Sequence, residues 1–244
     1  MNTRTIAALV LLPLSCKARS QPPQPPQPPP SSTNAPQNVL SDAEKTAGWT
    51  LLFDGRTTAG WRNYGKQTIA DGWVVQDGAL TRTGAGGDII TNDEFGNYEL
   101  SIDWKIEPGG NSGIFYRASE ENDEIYWNAV EMQVLDDAKH PDGQNPLQSA
   151  GAAYDLYPAP RGHVTPGGEW NSARLVVNGN HVEHWLNGFK MVEYELGSTD
   201  WNSKVAGSKF KPHSKFGKNA QGHIGLQDHG NVVAYRNIKI RALP

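Results

Sequence analysis

The chain has 244 residues, among them 8 Trp, 8 Tyr, 26 Gly and 17 Pro, enough for one sizeable hydrophobic core. A net charge of −4 and an isoelectric point near 6.0 give no basic excess to neutralise phosphates, and no long Lys/Arg run occurs, so nucleic acid is excluded as an expected partner. The single cysteine, Cys16, excludes a disulfide framework and, outside that position, a thiolate nucleophile.

The chain opens on "MNTRTIAALVLLPLSC", with one positive charge at Arg4 and an apolar run from Ile6 to Leu14. That run is too short to span a bilayer, and residues 1–16 read as an export signal. Cys16 falls where a bacterial lipoprotein is cleaved and acylated, although Pro13 and Leu14 stand where such signals carry Leu and a small residue; a plain secretory signal is the alternative. The expected location is the periplasm or cell surface, with membrane contact only through a lipid on Cys16. Residues 17–46 include "QPPQPPQPPP", whose prolines cannot donate to a ladder. They form the expected tether, a polyproline II spacer of about 3.1 Å per residue.

Residues 47–244 carry short alternating segments separated by Gly, Asn, Asp and Pro, the pattern of an all-β domain. In "YELSIDWKI", Leu100, Ile102, Trp104 and Ile106 point one way and Ser101, Asp103 and Lys105 the other. "SARLVVNGNHVEHWLNGFKMVEYEL" reads as strands joined by two tight turns at "NGN" and "NG". "GHIGLQDHGNVVAYRNIKIRAL" reads as a closing hairpin turning at "DHGN", with Ile238 and Ile240 in the core. Many short strands without crossover helices indicate a two-sheet jelly-roll sandwich of the concanavalin A-like lectin/glucanase type. The long irregular segment from Asp136 to Trp170, carrying Tyr154, Leu156 and Tyr157, is expected to fold as an ordered loop over the concave face.

A strand face on such a sheet can floor a ligand groove. In "VEMQVLDDAKH", Val130, Met132 and Val134 share the core face, leaving Glu131 and Gln133 opposite, with Asp136, Asp137 and His140 just beyond. That density of titratable groups marks a candidate site. In "NSGIFYR", Ile114 and Tyr116 face the core while Phe115 and Arg117 face outward, an aromatic plane beside a guanidinium suited to a sugar ring. Further candidates for substrate contact are Gln227 and His229 of "GLQDHG", Trp185, Tyr157 and Lys209. His184 shares a face with Val182 and Leu186 and reads as an interior histidine. No metal motif is present, so no cofactor is certain. A divalent cation remains the candidate cofactor, with Glu131, Asp136, His140 and His229 as its candidate ligands.

The ordered motifs "GWTLLFDGRTTAGW", "WVVQDGAL", "GGDIITNDEFGNYEL", "PGGNSGIFYR", "EMQVLDDAKH", "GAAYDLYPAP", "GEWNSARLVVNGNHVEHWLNG" and "GHIGLQDHG" resemble the bacterial 3-keto-disaccharide hydrolase family, from about Gly48 to the C-terminus. The resemblance implies a concanavalin-like jelly roll acting on small glycosides or disaccharides already oxidised at C3, as a hydrolase, lyase or hydratase. A C3 ketone acidifies the C2 hydrogen, so a base can remove it and the C1–oxygen bond can break by β-elimination, with or without rehydration. His140 or Glu131 is the expected base, Arg117 or a bound cation the stabiliser of the enolate, and Tyr154 or Glu131 the acid, with Gln133 and Gln227 orienting hydroxyls. A non-catalytic glycan-binding module and a conventional glycosidase on the same fold are the alternatives. The latter usually shows two or three carboxylates at alternate positions of one strand, where Gln133 stands here.

Overall fold

The computed structural model describes residues 37–244; the expected export signal, Cys16 and the spacer up to residue 36 lie outside the described residues. After a short helix α1 (Asp42–Thr46), the strands run β1 (Thr50–Leu51), β2 (Trp61–Asn63), β3 (Trp73–Gln76), β4 (Ala79–Arg82), β5 (Ile89–Thr91), β6 (Tyr98–Ile106), β7 (Asn111–Ala118), β8 (Val130–Leu135), β9 (Asn171–Asn178), β10 (His181–Leu186) and β11 (Phe189–Glu195). Helix α2 (Thr199–Ala206) then precedes β12 (His223–Leu226) and β13 (Val233–Ala242). One antiparallel sheet has eight strands in the order β11-β10-β9-β6-β13-β4-β3 with β1 beside β13, and the other has five, β2-β5-β12-β7-β8. The result is the expected all-β jelly-roll sandwich.

Period-two alternation puts the core between the sheets. Leu100, Ile102, Trp104 and Ile106 of β6 pack toward Ile114 and Tyr116 of β7 and Val130, Met132 and Val134 of β8, all of them buried. Sequestering each such large side chain contributes roughly 1.5–3 kcal/mol relative to exposure. His184 is the interior histidine its spacing predicts. Its Nδ1 donates to the Gly151 carbonyl at 3.1 Å and its Nε2 accepts from the Tyr116 hydroxyl at 3.0 Å, beside Tyr194. Burial holds this imidazole neutral, with its pKa pushed down to about 4. The two tight turns also fall as expected: Asn187 and Gly188 both take positive φ between β10 and β11, the geometry that matches the twist of a hairpin.

Three expectations need correction. The expected tether extends to residue 46, yet the Asn38 backbone N–H donates to Asn237 Oδ1 at 2.7 Å, its amide nitrogen donates to the Gly78 carbonyl at 2.8 Å, and α1 closes with a Ser41–Glu44 capping box. Residues 37–46 therefore belong to the folded unit, held by side-chain hydrogen bonds that a compositional boundary does not reveal. The "DHGN" segment is not a hairpin turn. Gly225 and Leu226 of β12 pair with β5 and β7, whereas β13 pairs with β4 and β6, so the chain crosses from one sheet to the other there. Asp228 anchors the crossing by pairing with Arg82 at 2.7 Å and accepting from the backbone of Gly86 and Gly87. Finally, α2 was not foreseen, because only Trp201 of its residues is buried and no apolar stripe marks it.

Candidate active site

The outer face of the five-stranded sheet carries the candidate site. Opposite its core residues, β8 presents Glu131 and Gln133 and β7 presents Asn111, Gly113 and Phe115, in register as the pairs Gly113–Gln133 and Phe115–Glu131. Above them lies a cavity of about 350 Å³. Its floor is Asn111, Glu131 and Gln133, with Gln227 and His229 following β12 at one side. Tyr126 and Trp127 reach in from the segment between β7 and β8, Tyr154 from the long loop, and Lys209 from the segment after α2.

Local sequence explains how these groups meet. Glu131 leans over Gly113, where an added Cβ would lie 2.2 Å from Oε1, so the glycine is what gives the carboxyl its place. Gly225 makes similar room on the adjacent strand β12, since a Cβ there would sit 2.5 Å from Ile125 Cδ1. That contact lets residues 119–129 settle on the sheet and bury Ile90, Phe115, Ala118, Ile125 and Ala129 as a second small core. The long loop is held to the edge of β8 by Gln133 N–H donating to the Ala152 carbonyl and Tyr154 N–H donating to the Glu131 carbonyl, both at 3.1 Å.

Electrostatically the cavity is built around one carboxyl. Glu131 is 8% exposed, and burial pushes its pKa up to about 8, an effect only partly opposed by the nearby Lys209 ammonium. Lys209 Nζ lies 4.3 Å from the centroid of the Tyr154 ring and 3.6 Å from Asp155. Burial also raises the Tyr154 phenol well above its ordinary range, so it keeps its proton at neutral pH. Gln133 is fixed by donating to the Gln148 carbonyl at 3.1 Å and accepting from the Val134 backbone at 3.1 Å. A second carboxyl, Asp88, does not line the cavity. It accepts from the Asp228 backbone at 2.8 Å, and its pKa is raised by burial to about 6.

Of the expected site residues, Glu131, Gln133, Tyr154, Lys209, Gln227 and His229 come together; the others do not. Arg117, expected beside the sugar, takes a positive φ of 53° and donates its guanidinium to the Gly179 carbonyl at 2.7 Å and the Gly96 carbonyl at 3.4 Å, tying β7 to two connecting segments away from the cavity. Phe115 is on the expected face but is covered by residues 119–129. His140 caps the 3-10 turn Pro141–Gln144, its Nδ1 accepting from the Asp142 backbone at 3.1 Å. Asp136 accepts from the backbone of Gly109 and Ala138, and Asp137 from Ala150, so both fold the long loop instead of meeting a ligand. Tyr157 stacks on Tyr194 with centroids 4.6 Å apart and donates to Asp200. Trp185 donates to Glu183 on the outer face of the other sheet, with the Arg174 guanidinium 4.6 Å above its ring.

The four-residue metal set is not brought together: Asp136 and the His140 Nδ1 accept from backbone amides of the long loop and line no part of the cavity that holds Glu131 and His229. Among the described residues, His181, Glu183 and Glu193 do bring ligand atoms within 4.8 Å of one another. Lys190 already binds both of those glutamates, at 2.7 and 2.8 Å. Asn111, Tyr126 and Trp127 were missed. Asn111 was legible, since it lies on the face of Gly113 by simple alternation, and the signal for the other two was an aromatic pair just after the polar run "SEENDE".

Comparison with known proteins bears on this site. The sequence profile of the 3-keto-alpha-glucoside-1,2-lyase-like domain matches residues 48–241. A 3-keto-disaccharide hydrolase of Bacteroides thetaiotaomicron is 36% identical over 228 residues, spanning 80% of this chain and 79% of that protein. A crystal structure of a candidate glycosyl hydrolase from Parabacteroides distasonis superposes with a TM-score of 0.81 at 33% identity, covering 86% of this chain and 100% of the other. A second from the same organism gives a TM-score of 0.63 at 32% identity, with 80% and 99% covered.

Proposed function

Because this chain belongs to the 3-keto-alpha-glucoside-1,2-lyase-like family and is a glycoside-cleaving enzyme, we propose that its substrate carries a ketone at C3 and is cleaved by β-elimination in the cavity around Glu131. One observation carries this reading: the cavity wall holds a single carboxyl, Glu131, with its pKa pushed up to about 8. Direct cleavage of an unoxidised glycoside calls for two carboxyl groups flanking the bond, and Gln133 occupies the neighbouring outward position. Removal of a proton beside a ketone calls for one base of raised pKa and one positive group.

In this scheme the Glu131 carboxylate takes the C2 proton and the electron pair moves onto the C3 oxygen, where the Lys209 ammonium stabilises the enolate. The pair then returns to form the C1–C2 double bond as the C1–oxygen bond breaks, and the Tyr154 phenol gives its proton to the departing oxygen. The products are an unsaturated 3-keto sugar and the free alcohol. Water added across the new double bond makes the net reaction a hydrolysis. Gln133, held rigidly by its two backbone bonds, Gln227 and Asn111 offer amide groups to the ring hydroxyls. Relative to the expectations from sequence, Arg117 and His140 leave the scheme, and Lys209 takes the enolate.

The test uses a 3-keto-disaccharide deuterated at C2. Slowed turnover or loss of the label to solvent is expected, together with a collapse of kcat in Glu131→Gln. Full-speed cleavage with the label retained overturns the elimination. The export signal and the lipid at Cys16 complete the proposal, which places the enzyme outside the cytoplasm on a tether. Radiolabelled fatty acid should enter the full-length chain and be lost in Cys16→Ser; equal labelling of both removes the anchor.

A further inference from the structure

We propose that a second pocket, which shares Trp127 with the Glu131 cavity, is the site of the leaving group, and that it takes a neutral, polyhydroxylated sugar residue. This inference rests on reading the Glu131 cavity as the place of cleavage.

The pocket has a volume of about 250 Å³ and shares Trp127 with the catalytic cavity. Its remaining wall includes Glu121, Asn122, His213, Ser214 and Lys215. The same two chain segments frame both spaces. Residues 119–129 give Tyr126 and Trp127 to the first and Glu121 and Asn122 to the second, while residues 207–222 give Lys209 to the first and His213 to Lys215 to the second. Trp127 does not swing freely between them. The His213 ring lies flat against it, with centroids 3.9 Å apart and planes 7° from parallel, and Tyr126 packs on it edge-on at 4.6 Å. A substrate with its oxidised ring on Glu131 and its leaving group directed past Trp127 would carry its second ring into this pocket.

The lining chemistry selects the occupant. Apart from Trp127 and Pro212 the wall is polar, so an alkyl or aryl leaving group would strand hydrogen-bonding groups without partners. Glu121 and Lys215 neutralise each other at 2.8 Å, which leaves no net charge to draw a carboxylated or phosphorylated group. What remains is a mixture of donors and acceptors beside an indole, the complement of a neutral pyranose.

The experiment compares kcat/KM for a 3-keto-disaccharide with that for the methyl 3-keto-glycoside of the same oxidised sugar. The wild-type enzyme should prefer the disaccharide. Ser214→Trp, which fills the pocket, and Asn122→Ala, which removes one amide, should each lower the ratio of the two values by roughly tenfold, as loss of a hydrogen bond to a sugar hydroxyl does. The loss should appear mainly in KM for the disaccharide. A ratio unchanged in both variants, with both sugars still turned over, overturns the leaving-group site while sparing the catalytic cavity. Wild-type enzyme that turns over neither sugar overturns both.

Discussion

Glu131 can be tested by its effect on stability as well as on rate. Its carboxyl has an ordinary pKa of 4.5 when the chain is unfolded and is pushed up to about 8 by burial in the native state. A group of this kind keeps its proton longer in the folded protein, so the native state binds more protons than the unfolded one between those two values, and stability must fall as pH rises through that window. At pH 5 the penalty is below about 1 kcal/mol, and by pH 7 it approaches about 3 kcal/mol, an upper figure because partial relaxation around the charge reduces it. Glu131→Gln fills the same space over Gly113 and cannot titrate. Urea unfolding of both proteins at pH 5, 6, 7 and 8 should show the variant gaining stability over wild type as pH rises, by a few kcal/mol across the series. The same titration should govern catalysis, with wild-type kcat/KM climbing as Glu131 loses its proton and levelling above about pH 8. If the stability difference is flat within about 0.5 kcal/mol, or if the variant loses ground as pH rises because the pairing with Lys209 dominates, then burial does not control this carboxyl and its role as a base of raised pKa falls.

Three other substitutions separate chemistry from architecture. Gly113→Ala places a Cβ 2.2 Å from Glu131 Oε1 without demanding an unusual backbone angle. It should lower kcat by roughly a hundredfold through displacement of the base while the thermal midpoint moves little; wild-type kcat would show that the carboxyl is not seated over the glycine. His140→Ala removes only the cap on the turn Pro141–Gln144. A loss of about 1 kcal/mol of stability with activity close to wild type is expected, and a collapse of kcat at unchanged stability would restore His140 to the chemistry. His184→Ala should cost about 2–4 kcal/mol in urea unfolding at pH 7, because it leaves a cavity and strips partners from the Tyr116 hydroxyl and the Gly151 carbonyl. Since the native state holds this imidazole neutral with a pKa of about 4 against an ordinary 6.5, its contribution is full above pH 6.5 and shrinks as pH falls toward 4; a cost that grows in acid would contradict the neutral assignment.

What could be read from the sequence follows the range of the physics involved. Alternation along a strand is local, so the core faces of β6, β7 and β8, the outward direction of Glu131 and Gln133, and the interior place of His184 were all legible. Whether an outward side chain meets ligand or protein depends on what folds above it, and that depends on contacts between residues far apart in the chain. Phe115 points the expected way but is roofed by Ile125 and Ala129. Asp136, Asp137 and His140 follow Glu131 closely enough to look like a catalytic cluster, yet a long loop leaving a strand must satisfy its own backbone N–H groups, and these three side chains accept from them. Arg117 failed for a related reason: at a positive φ of 53° it has left the strand's alternation, and its side chain no longer follows the face that the pattern assigns.

The arrangement also divides labour between sheet and loops in a way that suits a base of raised pKa. A carboxyl kept out of water is destabilised when charged, so the element carrying it has to resist rearrangement. Glu131 sits near the start of β8, whose next residue, Met132, lies fully buried between the sheets, and its side chain leans diagonally over Gly113 of β7, which leaves it room. The loops overhead supply the groups that approach the substrate: Tyr126 and Trp127 from one segment, Tyr154 from another, Lys209 from a third. Lys209 is tied there by Asp155 and by the Tyr154 ring, so the cation that opposes the rise in the Glu131 pKa is positioned by the loop that carries Tyr154, the proposed acid. Shifting that loop would move the proposed base, acid and enolate stabiliser together, which is why substitutions in residues 150–157 should alter the pH dependence of turnover as well as its rate.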